Sequence, residues 1–330
     1  MYYEIQNIEP FNDIFYRSCF FNSFFSVIQH YGKCILPYLM HDTMIYVLDG
    51  GEDVLIKSEF AFLDKAELNI ILTKQGIEMC TYVKQNDIIS CFHENLRNDR
   101  PVILWIDAFY IPYRKDTYQK LHWPHTVLLY GYQEKDECVY VIDHTWRENL
   151  TYEKKKLTNR HLIESYDAYL ANFLLIEQEP LSCYIFEERK GYENPENIKE
   201  YSDIFRSNLL KNRLIMQQSL EALQLFTNSI SFDALISNNY HADRFVEGVN
   251  SIILNKELEI YRFDKFFTHM NNWINLQKKI LDKWIAIRAR LLKFIFSNRQ
   301  DNELCRFLAH QMKCVLQEEY AVYKLLISSI

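Results

Sequence analysis

Glycine and proline are scarce in this chain, seven of each in 330 residues, and the scarcity excludes whole classes of function. No glycine-rich loop follows a strand, so there is no cradle for a phosphate and no implied nucleotide or dinucleotide cofactor. With so few breakers the chain has little room for flexible linkers or disorder, and it contains neither an internal repeat nor a low-complexity segment. The eight cysteines are scattered without a C-x-x-C pair, which speaks against a zinc site and against a disulfide framework. No apolar run approaches the roughly 18 to 20 residues of a membrane span, and Met1-Tyr2-Tyr3-Glu4-Ile5 lacks the basic and apolar regions of a signal peptide. The expectation is a cytoplasmic protein with no membrane partner, in a reducing compartment that keeps thiols free. A formal net charge of −7, without a basic and aromatic motif of the known binding folds, speaks against nucleic acid. What the chain has in abundance is aromatic side chains, 23 Tyr and 22 Phe, within an otherwise ordinary globular composition of 48% hydrophobic and 25% charged residues. Its length suffices for one large core or two smaller ones.

The residues with the most chemical meaning are Cys19, His125 and Asp143. Arg17-Ser18-Cys19-Phe20-Phe21-Asn22-Ser23-Phe24-Phe25 opens a segment that ends at Tyr31-Gly32, with the glycine where a helix C′ residue belongs. The spacing of Phe20, Phe24, Val27, Ile28 and Tyr31 predicts a helix over about 18–31 with one buried apolar face. Cys19 then lies in the first turn, where unpaired N–H groups and the positive end of the helix dipole favour thiolate over thiol. The same position also suits a cysteine that merely packs as a small hydrophobe.

Pro101-Val102-Ile103-Leu104-Trp105-Ile106-Asp107 reads as a buried strand, followed by a polar, aromatic loop over 108–123. His125 to Tyr132 and Cys138 to Asp143 flank the charged turn Gln133 to Glu137, the pattern of an antiparallel hairpin. An even register places His125 and Asp143 on one face, where the carboxylate fixes the imidazole tautomer and leaves the other ring nitrogen for the thiol. A one-residue slip points them apart. Cys, His and Asp in this order are the parts of a nucleophile, its base and the orienter of that base. Singly, the histidine also suits a hydrogen-bonded structural residue, and the aspartate a turn former.

Other candidates surround these three. His122 and His125 form an H-x-x-H, but no second ligand cluster accompanies it, so no metal is expected. His122 is expected to shape the pocket or pack on Trp123. His144 competes with His125 for the catalytic role, although strand alternation turns it away from Asp143. Asp107 ends its strand near the same edge, to hold the loop or to contact a substrate amine. Tyr113 lies in that loop and joins Asp107 and His122 as a candidate pocket residue.

The Cys19 helix, the strand at 101–107, the loop with Ile111-Pro112-Tyr113, the run His122-Trp123-Pro124-His125-Thr126-Val127-Leu128-Leu129-Tyr130-Gly131-Tyr132 and Val139-Tyr140-Val141-Ile142-Asp143 together resemble the butirosin biosynthesis protein H family. The resemblance covers roughly the first half of the chain. It implies a papain-like α+β core with an antiparallel sheet. It also implies transfer of an acyl or aminoacyl group from an acyl-carrier-protein thioester onto an amine in antibiotic biosynthesis. On it Cys19 is the nucleophile, His125 the base and Asp143 the orienter, and 4′-phosphopantetheine enters only as part of the carrier substrate. Papain-like enzymes place a Gln shortly before the Cys. This chain has Asn12 and Asp13 there, so Asn12 becomes the candidate side-chain donor to the oxyanion beside the Cys19 backbone N–H.

The expected organisation is a catalytic part over 1–190, a boundary at Lys190 to Asn197, and a mostly α-helical part over 191–330. Strands are expected at Asp53–Ile56, Glu78–Val83, Pro101–Asp107, His125–Tyr132, Val139–Asp143, Ala171–Ile176 and Cys183–Glu187. The helical part is read as containing one long helix over about Asp264–Phe296, a turn at Asn298–Asn302 and a last helix over Glu303–Leu326. Lys279, Lys283, Arg290 and Lys293 fall on a narrow face of the long helix, either as a dock for an acidic carrier protein or as a solvated face. This part is also the expected site of oligomerisation, a homodimer included. The reading is of a cysteine acyltransferase without a dissociable cofactor. A cysteine hydrolase, either a peptidase or a thioesterase, and an inactive scaffold of a biosynthetic assembly are the alternatives.

Overall fold

The computed structural model describes residues 1–49, 55–61, 68–146, 149–174, 181–189, 191, 197–229, 239–267, 270–297 and 302–329. In chain order the elements are β1 (Tyr2–Glu4), α1 (Cys19–His30), α2 (Leu36–Leu39), β2 (Thr43–Asp49), β3 (Leu55–Ala61), α3 (Leu68–Lys74), β4 (Ile77–Tyr82), α4 (Ile88–Arg97), β5 (Val102–Asp107), β6 (Pro124–Gln133), β7 (Cys138–Trp146), β8 (Asn149–Thr158), α5 (Asn159–Asn172), β9 (Cys183–Glu188), α6 (Ile198–Lys211), α7 (Arg213–Ser229), α8 (Asn239–Phe266), α9 (Asn271–Ser297) and α10 (Asn302–Ser329).

Two units result. The first comprises 1–35 and 67–196, the second 36–66 and 197–330. The division after 196 lies just before α6, and the stretch 36–66 ahead of α3 groups with the helical unit. Of Lys190 to Asn197, Gly191 and Asn197 are among the described residues; Asn197 caps α6 by accepting from the Glu200 N–H at 3.2 Å.

The first unit is built on an antiparallel sheet in the order β4-β9-β5-β6-β7-β8, with β1 paired to the far end of β6. Strands β5, β6 and β7 are buried along nearly their whole length, which is why they read as continuous apolar runs. Helices α1 and α5 pack on β5, and α1 also packs on β6. Strand β8 was not visible in the sequence, because Lys154-Lys155-Lys156 puts charge on a strand that, among the described residues, is at the sheet edge and pairs with β7. The strand expected at Ala171–Ile176 is corrected: Ala171 and Asn172 end helix α5, which Thr158 caps by accepting from the His161 N–H, while 175 and 176 lie outside the described residues.

The second unit holds the hairpin β2–β3, paired from Thr43↔Ala61 to Asp49↔Leu55, with α7 against β2 and α8 against β3. Of the strand expected at Asp53–Ile56, residues 53 and 54 lie outside the described residues, and Leu55-Ile56 open β3. The single helix expected over Asp264–Phe296 is corrected to two. Helix α8 ends at Phe266, Phe267 closes on Phe263 O, and α9 starts at Asn271-Asn272, residues that favour a helix start over its interior. Of the turn Asn298–Asn302, only Asn302 is described, and it opens α10. Among the described residues no helix is long and apolar enough to cross a membrane.

Candidate active site

Helix α1 delivers Cys19 from a tightly held turn. Arg17 adopts φ +54, a left-handed conformation costly for a side chain with a Cβ, and Ser18 in extended backbone serves as the N-cap. The polar residues of α1 hold the approach: Asn22 donates to Ile14 O at 2.9 Å and accepts from the Tyr16 N–H, and Ser26 accepts from the Phe11 N–H at 2.9 Å. Phe20, Phe24, Phe25, Val27 and Ile28 bury the apolar face. The helix ends in a Schellman motif, with Gly32 at φ +66, its N–H on Gln29 O and the Lys33 N–H on Ile28 O. Both helix ends are thus fixed, and Cys19 is left half-buried at the first turn.

The register that joins His125 to Asp143 depends on a bulge. At the turn end of the hairpin Gln133 faces Cys138 and Gly131 faces Tyr140, a register that would carry Asp143 opposite Leu128 and turn it away from His125. Between Leu129 and Gly131 the pairing shifts, so that Leu128 faces Ile142. Continued by one residue, Asp143 falls beside Val127 and shares a face with His125. Gly131 is needed at this point, since a Cβ there would meet Tyr3 O at 2.9 Å and the Tyr140 ring at 3.0 Å. One inserted residue therefore turns a wrong register into the right one.

The structure brings Cys19, His125 and Asp143 together. His125 Nε2 donates to Asp143 Oδ1 at 2.7 Å, with His125 2% and Asp143 0% exposed, which leaves Nδ1 for the thiol. Asp143 also accepts from the His144 N–H at 2.7 Å and from Tyr113 Oη at 2.8 Å. Burial by itself would lower the His125 pKa, but the charge of Asp143 and the neighbouring Cys19 outweigh it and raise the imidazole to about 9. Burial would likewise raise the Cys19 thiol; the positive His125, with hydrogen bonds from His125 and Thr126, reverses this and lowers it. Against the same burial effect, His125 and Arg114 hold Asp143 at about 2. At neutral pH the groups are an imidazolium beside a thiol biased toward thiolate, with an ionised carboxylate behind.

A cleft of about 320 Å³ opens on this group. Cys19, His125, His144, Arg114 and Ser18 supply its polar lining, and Phe15, Trp105, Trp123, Pro124 and Leu150 its apolar walls. His144 sits edge-on to His125, with ring centroids 4.9 Å apart, rather than on the opposite side of the sheet. The pleat is broken just past it, where the β7–β8 register shifts between His144 and Trp146. Burial and then His125 push its pKa down to about 4, so it is neutral where His125 is charged.

Asp107 is fully buried and holds the loop: it accepts from the Phe109 and Trp123 N–H groups at 3.0 and 3.1 Å and pairs with His122 Nδ1 at 2.6 Å. His122 stacks on Phe109, with ring centroids 4.2 Å apart. Neither residue lines the cleft, and Tyr113 reaches Asp143 instead of the cleft surface. The expectation for Asn12 is corrected. Its amide donates to Tyr152 O at 3.0 Å and accepts from the Tyr152 N–H at 2.7 Å, a clamp on β8 away from the cleft lining. In the helical unit, Lys279, Lys283, Arg290 and Lys293 are exposed along α9; Lys283 pairs with Glu318 at 2.6 Å and Arg290 lies over the Phe307 ring.

Sequence reading missed Arg114 and Thr126. Arg114 is 0% exposed, its Nη1 3.7 Å from Asp143 Oδ1 and 3.4 Å from His144 Nε2. Among the described residues His125, Asp143 and His144 form the group whose ligand atoms gather closely enough for a metal, within 4.8 Å. The Arg114 guanidinium already places a fixed positive charge against two of the three.

A family model described as Butirosin biosynthesis protein H, N-terminal, matches residues 71–144. The matched span runs through β4 to most of β7 and includes His125 and Asp143, while Cys19 precedes it. A relative from Niallia circulans is 24% identical over 152 residues, 46% of each chain. It is named as a ribostamycin:4-(gamma-L-glutamylamino)-(S)-2-hydroxybutanoyl-(BtrI acyl-carrier protein) 4-(gamma-L-glutamylamino)-(S)-2-hydroxybutanoate transferase. The match spans about half the length of that relative. Residues 71–144 are thus similar to the butirosin biosynthesis protein H family, the one that the motifs of this chain resemble.

Proposed function

We propose that this chain is a cysteine acyltransferase, moving an acyl or aminoacyl group from an acyl-carrier-protein thioester to an amine on a papain-like core. The observation that carries the reading is the Cys19 thiol, lowered in pKa beside a His125 raised to about 9 and oriented by Asp143 through a 2.7 Å hydrogen bond. The Niallia circulans relative supports the choice of reaction, since its name is that of a transferase taking its acyl group from a carrier protein.

In the first step the Cys19 thiolate attacks the thioester carbonyl, with the Cys19 backbone N–H at the first turn of α1 facing the developing oxyanion. Collapse breaks the carrier's C–S bond, and the departing sulfur takes the proton of the His125 imidazolium. In the second step neutral His125 takes a proton from the amine as it attacks the acyl-enzyme, and Cys19 leaves as thiolate, which restores the ion pair. The product is an amide. Tyr113, Asp107 and His122 act through the loop and the carboxylate. A carrier bearing 4′-phosphopantetheine is the proposed partner, with the exposed Lys279 and Lys293 of α9, flanking Lys283 and Arg290, as its docking surface.

Intact-mass spectrometry of the wild type and Cys19→Ala after incubation with acyl-carrier-protein thioesters tests this. A mass gain confined to the wild type, converted to amide when a primary amine is added, is expected. Conversion to free acid despite the amine would make the protein a hydrolase. An inert Cys19 with every donor would make it a scaffold.

A further inference from the structure

A pair of cysteines in the first unit lies outside the acyl-transfer chemistry. Helix α4 and strand β9 each present one to the other, and the Cys91 and Cys183 thiols hydrogen-bond one another. Cys91 closes the first turn of α4, its N–H on Asp87 O at 3.1 Å at the end that Asp87 caps. Cys183 opens β9 between Tyr82 of β4 and Leu104 of β5 and is completely buried, whereas Cys91 is half-buried. The two sulfurs are unlike. Cys183 donates, and its bond to Cys91 and then its burial push that thiol above the ordinary value, so it stays protonated. Cys91 accepts; that bond, with a second from Asn95 Nδ2 at 3.8 Å, lowers its thiol against burial and the charges of Glu94 and Asp87. A single buried cysteine packs as a small hydrophobe and stays inert. A half-buried sulfur biased toward thiolate, touching a protonated one, is instead the arrangement of an attacked thiol and its resolving partner. Cys80 supplies the contrast in the same corner: it lies on β4 opposite Ile185, on the same face of the sheet as Cys183, and is exposed.

We propose that Cys91 and Cys183 are a reversible dithiol–disulfide pair, a modification site for peroxides in which Cys91 is attacked and Cys183 resolves. The Cys91 thiolate attacks one oxygen of hydrogen peroxide, the O–O bond breaks, and Cys91 becomes a sulfenic acid as hydroxide departs. The Cys183 sulfur then displaces the sulfenic hydroxyl, which leaves with the Cys183 proton as water, and the S–S bond forms. The peroxide takes up the two electrons that the sulfurs give up, and a dithiol reductant restores both thiols. The bond ties α4 to β9 one residue before Tyr184, which accepts from the cleft-lining Trp105 at 3.3 Å and packs on Phe20 of α1 with ring centroids 4.7 Å apart. No step of this oxidation uses Cys19 or the acyl transfer.

The test uses Cys19→Ala, which removes the other activated thiol. The fully reduced protein is exposed to hydrogen peroxide, then unfolded, alkylated with iodoacetamide and mapped by peptide mass without reduction. The expected result is the loss of Cys91 and Cys183 to alkylation, with a linked peptide lighter by two hydrogens than the sum of its parts, while Cys80 is still alkylated. Dithiothreitol should split that peptide and return both thiols. In the Cys19→Ala, Cys183→Ala protein Cys91 has no resolving thiol, so dimedone should label it as a sulfenic acid, a label that the parent lacks once oxidation is complete. Oxidation of Cys80 with Cys91 and Cys183 still fully alkylated would overturn the proposal. So would linkage of either cysteine to a third in place of the other, or a folded Cys183→Ala protein that dimedone leaves unlabelled at Cys91. The peptide map of the parent decides the matter even if the Cys183 variant fails to fold.

Discussion

The two units bury ionic groups by opposite means. In the helical unit Lys256, 1% exposed, bonds to Gln277 and at 2.8 Å to Glu319, which also accepts from Trp284 Nε1 and Tyr46 Oη at 2.8 and 2.9 Å. Arg262 donates to Glu259 at 3.0 Å and to Asp42 O, and lies over the Phe205 ring. Opposite charges there meet in directly hydrogen-bonded pairs inside a core of Phe263, Trp273, Trp284 and Leu316. In the sheet unit the charges stand along a cleft, and their proton affinities are spread apart: His125 about 9, His144 about 4, Asp143 about 2. A network of paired buried charges fixes one packing of its unit. A spread of affinities along a cleft prepares proton transfer.

Breaking the network of paired charges should be the more damaging to stability. Glu319→Ala strands Lys256 without its carboxylate and removes the acceptor of Tyr46 and Trp284, so a loss of about 3 to 5 kcal/mol is expected in chemical denaturation. The double change Lys256→Met, Glu319→Leu should recover a large part of it, and alkylation of Cys19 in the folded protein should be unaltered. If Glu319→Ala changed Cys19 reactivity without changing stability, the contrast would be wrong.

A smaller effect is expected at the bulge. Gly131→Ala sets a methyl against Tyr3 O and the Tyr140 ring, which should cost about 1 to 3 kcal/mol, in the range of overpacking. Because the residue borders the bulge that sets the hairpin register, the change should also slow Cys19 alkylation, an effect that Glu319→Ala lacks. Stability lost with reactivity intact would mean that the sheet reaches the His125–Asp143 pairing without the bulge.

These particular elements also mark where sequence is a sufficient guide. Helix α1 and strands β5, β6 and β7 were legible because each is a local apolar pattern with a distinct end, Gly32 for the helix and a charged turn for the hairpin. That pattern put Cys19 in a first turn and His125 and Asp143 on facing strands. Residue spacing does not reveal an inserted residue, so the register that joins the two was open in the sequence. Nor does it reveal burial of a charged loop residue: Arg114 lies between Tyr113 and Lys115 in a stretch that reads as polar surface, and its side chain is buried against Asp143 and His144 at the cleft. Asn12 erred in the reverse direction, because an amide near a nucleophile suits an oxyanion and suits equally the backbone of an edge strand. The break between α8 and α9 was hidden by apolar spacing that continues across it.

The central claim, an ion pair between Cys19 and His125, is tested most directly by the pH dependence of Cys19 alkylation with iodoacetamide, read by peptide mass in the wild type and in His125→Ala. The positive imidazolium favours thiolate, so wild-type labelling should reach half its plateau below the ordinary thiol value of about 8.5. Once His125 is removed, burial remains as the dominant influence and the midpoint should move above that value. A midpoint at or above the ordinary value in the wild type, unmoved by His125→Ala, would contradict the account and leave Cys19 a packed thiol.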